Sequence, residues 1–247
     1  MKKLITLVLF ACLTGLTTRA QVKTQVIAHR GHWNTEGSAQ NSRSSLQNAL
    51  DLNVYGSEID IWLTTDGHLF VNHDATYNGV RIEEATAKEC SQLVLKNGEH
   101  MPELNELLHM VKKSNSDTRL IIEIKEHSTL QQNLEAARAA VKAVRKAGVR
   151  NKVEYISFSL AVCAALVRLD PTADVGYLSG WIRPNELHKL GLTRLDYHLN
   201  VYRDHPEWID EAHQLGMKAN VWTIDDKEEM KHFRDMGMDY ITTNPPI

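Results

Sequence analysis

The chain has 247 residues, with 28 Lys and Arg against 31 Asp and Glu and a formal charge of −3. That length holds one large domain or two small ones, and the charge gives no basis for a nucleic-acid or anionic-membrane surface. Three cysteines are too few for a disulfide scaffold.

Residues 1–20 read as a signal peptide. Lys2 and Lys3 precede an apolar run from Leu4 to Leu16, and Thr18-Arg19-Ala20 puts small residues where a signal peptidase reads, so cleavage is expected before Gln21. The run is too short for a permanent span, so no stable membrane span is expected and the mature chain is placed in the periplasm or outside the cell. A rival is lipidation at Cys12, because Leu9-Phe10-Ala11-Cys12 loosely resembles a lipobox, although Phe10 is bulky for it. Losing Lys2, Lys3 and Arg19 takes the charge from −3 to −6 and leaves Cys90 and Cys163. Cys163 falls in an apolar helical pattern and reads as a buried thiol.

From Gln21 onward strand and helix patterns alternate without a long linker, repeat or low-complexity run. Val22 to His29 reads as a strand and Ser42 to Leu52 as a helix with Leu46, Ala49 and Leu50 on one side. Gly56 to Leu63 is a strand on which Glu58, Asp60 and Trp62 share one face and Ile59, Ile61 and Leu63 the other. Asp66-Gly67 signals a tight turn, and Leu69 to Asn72 a short returning strand that carries His73 and Asp74 back toward the acids. The order of 75–101 is not legible. Pro102 is expected in the first turn of a helix over Leu104, Leu107, Leu108 and Val111.

Arg119 to Glu126 is the next strand, with Leu120, Ile122 and Ile124 on one face and Glu123 and Lys125 on the other. Thr129 to Ala147 is a helix, its apolar residues spaced by four and three and its end marked by Gly148. Strands then follow at Val153–Phe158, Asp174–Leu178, Leu195–Val201, Lys218–Ile224 and Tyr240–Thr243. Helices lie between them at Ala161–Leu169, Pro184–Leu190, Pro206–Leu215 and Asp226–Met236.

Leaving out the returning strand, eight strands joined mostly by helices imply a parallel sheet closed into a (β/α)8 TIM barrel. An open doubly wound sheet is the rival, but no glycine-rich phosphate fingerprint follows the first strand. Barrel sites lie at the C-terminal strand ends. There the chain has His29 and Arg30, then Glu58 and Asp60, then Glu123 and Lys125, and Trp222. Three carboxylates facing one mouth repel each other unless a cation lies among them. An all-oxygen set suits one divalent cation, Mg2+ or Ca2+, better than Zn2+. His29 and His73 beside it suggest a proton acceptor and a proton donor, and Arg30 and Lys125 suggest an anionic substrate such as a phosphodiester. Of the 12 histidines, His68, His100, His109, His127, His188, His205, His213 and His232 read as structural, while His32 and His198 stay undecided.

The chain resembles the glycerophosphodiester phosphodiesterase family. The resemblance runs from Ala28-His29-Arg30-Gly31 through Asn41-Ser42, Glu58-Ile59-Asp60, Thr65-Asp66-Gly67, His73-Asp74, Glu123-Ile124-Lys125 and Val221-Trp222-Thr223 to Ile241-Thr242-Thr243. It implies a TIM-barrel hydrolase that cleaves a small-molecule glycerophosphodiester to glycerol 3-phosphate and an alcohol, with a small insertion after the His-Asp motif, where 75–101 falls. By matching position it implies metal ligation by Glu58, Asp60 and Glu123, acid/base work by His29 and His73, and phosphate contact by Arg30 and Lys125. Trp222 would wall the glycerol moiety.

Two positions depart from the family pattern. Gln40 stands where an acid is usual, which removes a negative charge near the metal, and Asn244 stands where an acid is usual before the final prolines, with a structural effect expected as it closes the barrel. His32 and Trp33 extend the first loop. A non-catalytic sugar-phosphate-binding barrel is the rival function, motivated by Gln40 and opposed by the retained histidine pair. A two-carboxylate glycosidase is disfavoured because Glu58 and Asp60 lie side by side on one strand.

Overall fold

The computed structural model describes residues 23–246, so the expected signal peptide and Cys12 lie outside the described residues. Eight parallel strands form a closed barrel: Gln25–Ala28, Gly56–Leu63, Arg119–Ile124, Val153–Ser157, Val175–Tyr177, Arg194–His198, Lys218–Trp222 and Tyr240–Thr243. Each pairs with the next, and the first pairs with both the last (Gln25 opposite Tyr240, Ala28 opposite Thr243) and the second (Ile27 opposite Gly56). An open doubly wound sheet would leave two such strands as edges; here neither is one.

The period-two alternation decides which side chains go where. Ile59, Ile61, Leu63, Ile122 and Ile124 point outward into the main core, where they meet Leu104, Leu107, Leu108, Ala137, Val141 and Val144 of the surrounding helices. Each such Leu or Ile contributes about 1.5–3 kcal/mol by leaving water. The alternate residues point into the barrel, where Ile27, Ile121, Ile156, Leu178 and Tyr240 fill the interior below the mouth. Helix ends follow local chemistry: Thr129 caps helix Leu130–Ala147 and left-handed Gly148 ends it, and Ser42 and Ser45 form a capping box on helix Arg43–Leu52. Gly31 is required by space as well as by its φ of +78°, because a Cβ there would come within 2.4 Å of Ser45 Oγ. The first loop therefore lies flush on helix Arg43–Leu52.

Two elements differ from the sequence expectation. The strand expected over Leu195–Val201 ends at His198, and Leu199–Asp204 turns into a helix. The alternation of Leu195, Tyr197, Leu199 and Val201 imitates a longer strand, but the Tyr202 hydroxyl donates to the strand carbonyl of Asn220 (2.9 Å) and turns the chain back over the rim. Pro102 precedes the helix instead of entering it: its carbonyl accepts from Val71 N (3.0 Å), and Glu103 caps helix Leu104–Lys113.

The returning strand Leu69–Val71 lies antiparallel to the second strand, with Trp62 opposite Phe70. Residues 75–101 then form a hairpin (Thr76–Tyr77 with Val80–Arg81), a 3-10 turn and the short helix Ala87–Cys90. Ile82, Cys90, Leu93, Leu95 and Met101 bury themselves on Trp62 and Phe70 as a separate small core beside the barrel mouth. Cys163 is fully buried in the main core. No helix among the described residues is long and apolar enough to cross a membrane.

Candidate active site

Glu58, Asp60 and Glu123 converge at the barrel mouth, each offering an oxygen within 4.8 Å of the others. The second and third strands pair in a register that sets Asp60 opposite Glu123, so the juxtaposition follows from the ladder itself. All three are buried. Burial, reinforced by the charges of Asp60 and Glu123, pushes the Glu58 carboxyl well above its ordinary range. Burial and the Asp60 charge push Glu123 up to about 8 despite the adjacent Lys125. Burial also opposes ionisation of Asp60, but Lys125, His73, Asn41 and Arg30 together hold that carboxyl below its ordinary value.

Two cations reach the acids. Lys125 Nζ stands 2.7 Å from Glu123 Oε1 and 3.2 Å from Asp60 Oδ1, and these charges keep the ammonium protonated against the cost of burial. Arg30 has a left-handed backbone (φ 57°) that aims its N–H at Glu58 Oε2 (2.8 Å), while its Nε lies 3.8 Å from Asp60 Oδ2. His29 and His73 face the same cavity, of about 130 Å³, together with Arg30, Glu58, Glu123, Phe158 and Trp222. Burial, then the Arg30 charge, lowers the His29 pKa below 6.5 in spite of its bond to Asn244. His73 Nδ1 donates to Asp74 Oδ1 (2.7 Å). Trp222 is held by its indole N–H on the Asp196 carbonyl (2.9 Å) and by the edge of Phe158, 5.8 Å between centroids.

These residues fit a hard divalent cation. Glu58 Oε1 and Glu123 Oε1 are buried without a hydrogen-bond partner among the described residues, although the Lys125 ammonium stands 2.7 Å from the latter. An uncompensated buried carboxylate oxygen is costly. Two oxygens on one Mg2+ or Ca2+ lie at most roughly 4–5 Å apart, which is the spread observed.

A model of the glycerophosphoryl diester phosphodiesterase family matches residues 29–247. The chain belongs to this family. It is accordingly a phosphoric diester hydrolase, as the sequence resemblance implied. A glycerophosphodiester phosphodiesterase of Caldanaerobacter subterraneus is 28% identical over 239 residues, covering 91% of this chain and 96% of that one. The crystal structure of a glycerophosphodiester phosphodiesterase from Parabacteroides distasonis is 46% identical with a TM-score of 0.89, covering 90% of this chain and 93% of that one. A phosphodiesterase of Oleispira antarctica, solved in complex with the product sn-glycerol-3-phosphate, shares the fold at 21% identity and a TM-score of 0.79, with coverage of 90% and 93%.

At the barrel mouth the structure brings together all eight residues singled out in the sequence: His29, Arg30, Glu58, Asp60, His73, Glu123, Lys125 and Trp222. It also adds some. Asn41, with φ 57°, grips Asp60 twice, donating from Nδ2 to Oδ2 (2.8 Å) and accepting from the backbone N–H (3.2 Å). Asn244, expected to act only on barrel closure, accepts from His29 Nδ1 (2.9 Å) and donates to Asp225 (2.7 Å). Gln40 turns its carbonyl to Arg30 Nη1 (2.9 Å). Of the two undecided histidines, His32 is buried and His198 lies edge-on to Trp222 at 5.2 Å. His127 accepts from Leu63 N and lies on the Lys125 carbonyl, a structural place.

Proposed function

We propose that this chain hydrolyses glycerophosphodiesters to glycerol 3-phosphate and an alcohol, using one Mg2+ or Ca2+ held by Glu58, Asp60 and Glu123. The observation that carries this reading is the gathering of three buried carboxylates at the barrel mouth, beside a cavity lined by two of them, two imidazoles and a guanidinium. The cation would stabilise negative charge developing on the phosphoryl oxygens. Arg30 and Lys125 bind and orient the phosphate, and the Trp222 face excludes water from the carbon side of the glycerol.

His29, kept neutral by burial, takes the proton of the attacking oxygen as it bonds to phosphorus; where that oxygen is water's, glycerol 3-phosphate forms directly, and where it is a hydroxyl of the glycerol, water then opens the cyclic phosphate. His73 gives a proton to the alcohol oxygen as the second P–O bond breaks. Protons and charge balance over the two imidazoles. Residues 21–247 act as one barrel domain with 75–101 as an insertion, delivered outside the cytoplasm by the signal peptide of residues 1–20. The mass of the mature chain tests that last point: a start at Gln21 supports it, and a lipidated Cys12 overturns the cleavage site.

The decisive assay is release of glycerol 3-phosphate from glycerophosphocholine and its relatives, each with Mg2+, Ca2+ and no metal. Activity lost in EDTA and in His29→Ala is expected. Ligand binding without turnover by metal-loaded protein would favour a binding barrel instead.

A further inference from the structure

We propose that the leaving alcohol occupies a second cavity beside the site, and that this cavity prefers an uncharged polyol to a cationic amino alcohol. The proposal rests on the phosphodiesterase reading above. Arg30 and His73 line both cavities, so a phosphate held between them directs its two ester oxygens into different spaces. The first, of about 130 Å³, is walled by Phe158, Leu178 and Trp222. The second, of about 300 Å³, opens between the first loop and the insertion and has polar walls that include Gln40, Asn72 and Lys96. The larger space takes the more variable group, and His73 stands at its entrance, where a leaving oxygen needs a proton.

The charge balance of this second cavity sets its preference. Among the described residues that line it, Arg30 and Lys96 are permanent cations and Asp74 is the one acid; Arg30 is taken up by Asp60 (3.8 Å) and by the phosphate, so Lys96 is the cation left facing the head group, while Asp74 already accepts from His73 Nδ1 at 2.7 Å. Gln40 leaves the cavity one negative charge short of what a glutamate would give, and with its carbonyl on Arg30 (2.9 Å) it has amide hydrogens to offer a hydroxyl. A cationic head group would meet the Lys96 ammonium with the nearby acid already engaged, whereas the hydroxyls of a polyol would find donors and acceptors. Trp33 and Tyr77 also line the space and supply the competing attraction, stacking of a quaternary ammonium on an aromatic face.

The test compares kcat/KM, with metal loaded, for glycerophosphoglycerol, glycerophosphoinositol, glycerophosphocholine and glycerophosphoethanolamine. A preference of roughly three- to fivefold for the two polyol diesters is expected, the scale of one partly screened charge interaction. Gln40→Glu and, separately, the exposed Lys96→Glu should each move that ratio toward the cationic pair. Equal or better turnover of the choline diester, or a ratio unmoved by Lys96→Glu, would overturn the assignment while leaving the phosphodiesterase reading intact. Failure to turn over any of the four diesters would overturn that reading and the subsite with it.

Discussion

Asn244 Oδ1 accepts a hydrogen bond from His29 Nδ1 across 2.9 Å, and the direction of that bond is dictated from behind. Asp225, whose pKa is held low by its bonds to Asn244 and Thr243 in spite of partial burial, is a carboxylate that can only accept. It takes the Asn244 amide hydrogen at 2.7 Å and the Asn244 backbone N–H at 2.9 Å. The amide must then present oxygen to the imidazole, so the hydrogen of neutral His29 sits on Nδ1 and Nε2 is left as the proton acceptor. Asp225 and Asn244 thus position His29 without touching the substrate. Asn244→Ala is expected to lower kcat about 10- to 100-fold with KM little changed. Asp225→Ala should cost less, and the double variant no more than Asn244→Ala alone, since Asp225 acts through Asn244. Additive losses in the four kinetic measurements would refute the relay.

Metal binding should release protons. Glu58 and Glu123 are raised, the latter to about 8, so at pH 7 the metal-free site retains protons that a cation must displace. For an acid raised in the folded state, folding stability declines as pH climbs from the unfolded value near 4.5 to the folded value near 8. Metal-free protein should therefore lose Tm over that window, and added Mg2+ or Ca2+ should raise Tm more at pH 8 than at pH 6. Calorimetry in buffers of different ionisation enthalpy counts the protons; a count of zero at pH 7 contradicts the argument.

Asn41 holds Asp60, a ligand of the proposed cation, from both its side chain and its backbone. Asn41→Ala should weaken metal affinity about 10- to 100-fold, with activity restored by excess cation. Loss that no metal concentration repairs would show that Asn41 serves something other than ligand orientation.

The proposed roles, His73 as proton donor and His29 as proton acceptor, make different demands on the leaving group. Each alanine variant should lose about 10²–10⁴ in kcat on a choline diester. With a nitrophenyl leaving group, which departs without a proton, His73→Ala should recover most of its rate and His29→Ala should not. The opposite pattern would exchange the two roles.

Trp62 anchors residues 75–101, packing with Phe70, Ile82 and Met101. Trp62→Ala should cost about 3–5 kcal/mol. Hydrogen exchange should speed up across 75–101 before the barrel strands, because the small core is separate from the main one. Uniform loss across the barrel would mean the two cores unfold together.

Much of the site was legible because a strand shows side chains at period two and a barrel gathers its active residues at strand ends. Glu58, Asp60 and Glu123 needed only those two rules, and so did His29. Asn41 escaped them, lying in an irregular segment where no periodicity indicates direction. Helix Leu199–Asp204 escaped for the opposite reason: its leading residues carry a false strand alternation, overruled by the hydroxyl of Tyr202.

The order of strands and helices, the outward and inward faces of each strand, and the identity of the acids, imidazoles and cations were determined by the amino-acid sequence alone, since local spacing encodes them. The His29–Asn244 contact, between residues 215 apart, was decided only by barrel closure, which lays the last strand on the first. Tertiary structure likewise decided the wall that residues 75–101 build beside the mouth. Contacts of that range depend on packing many segments at once, and no local pattern carries them.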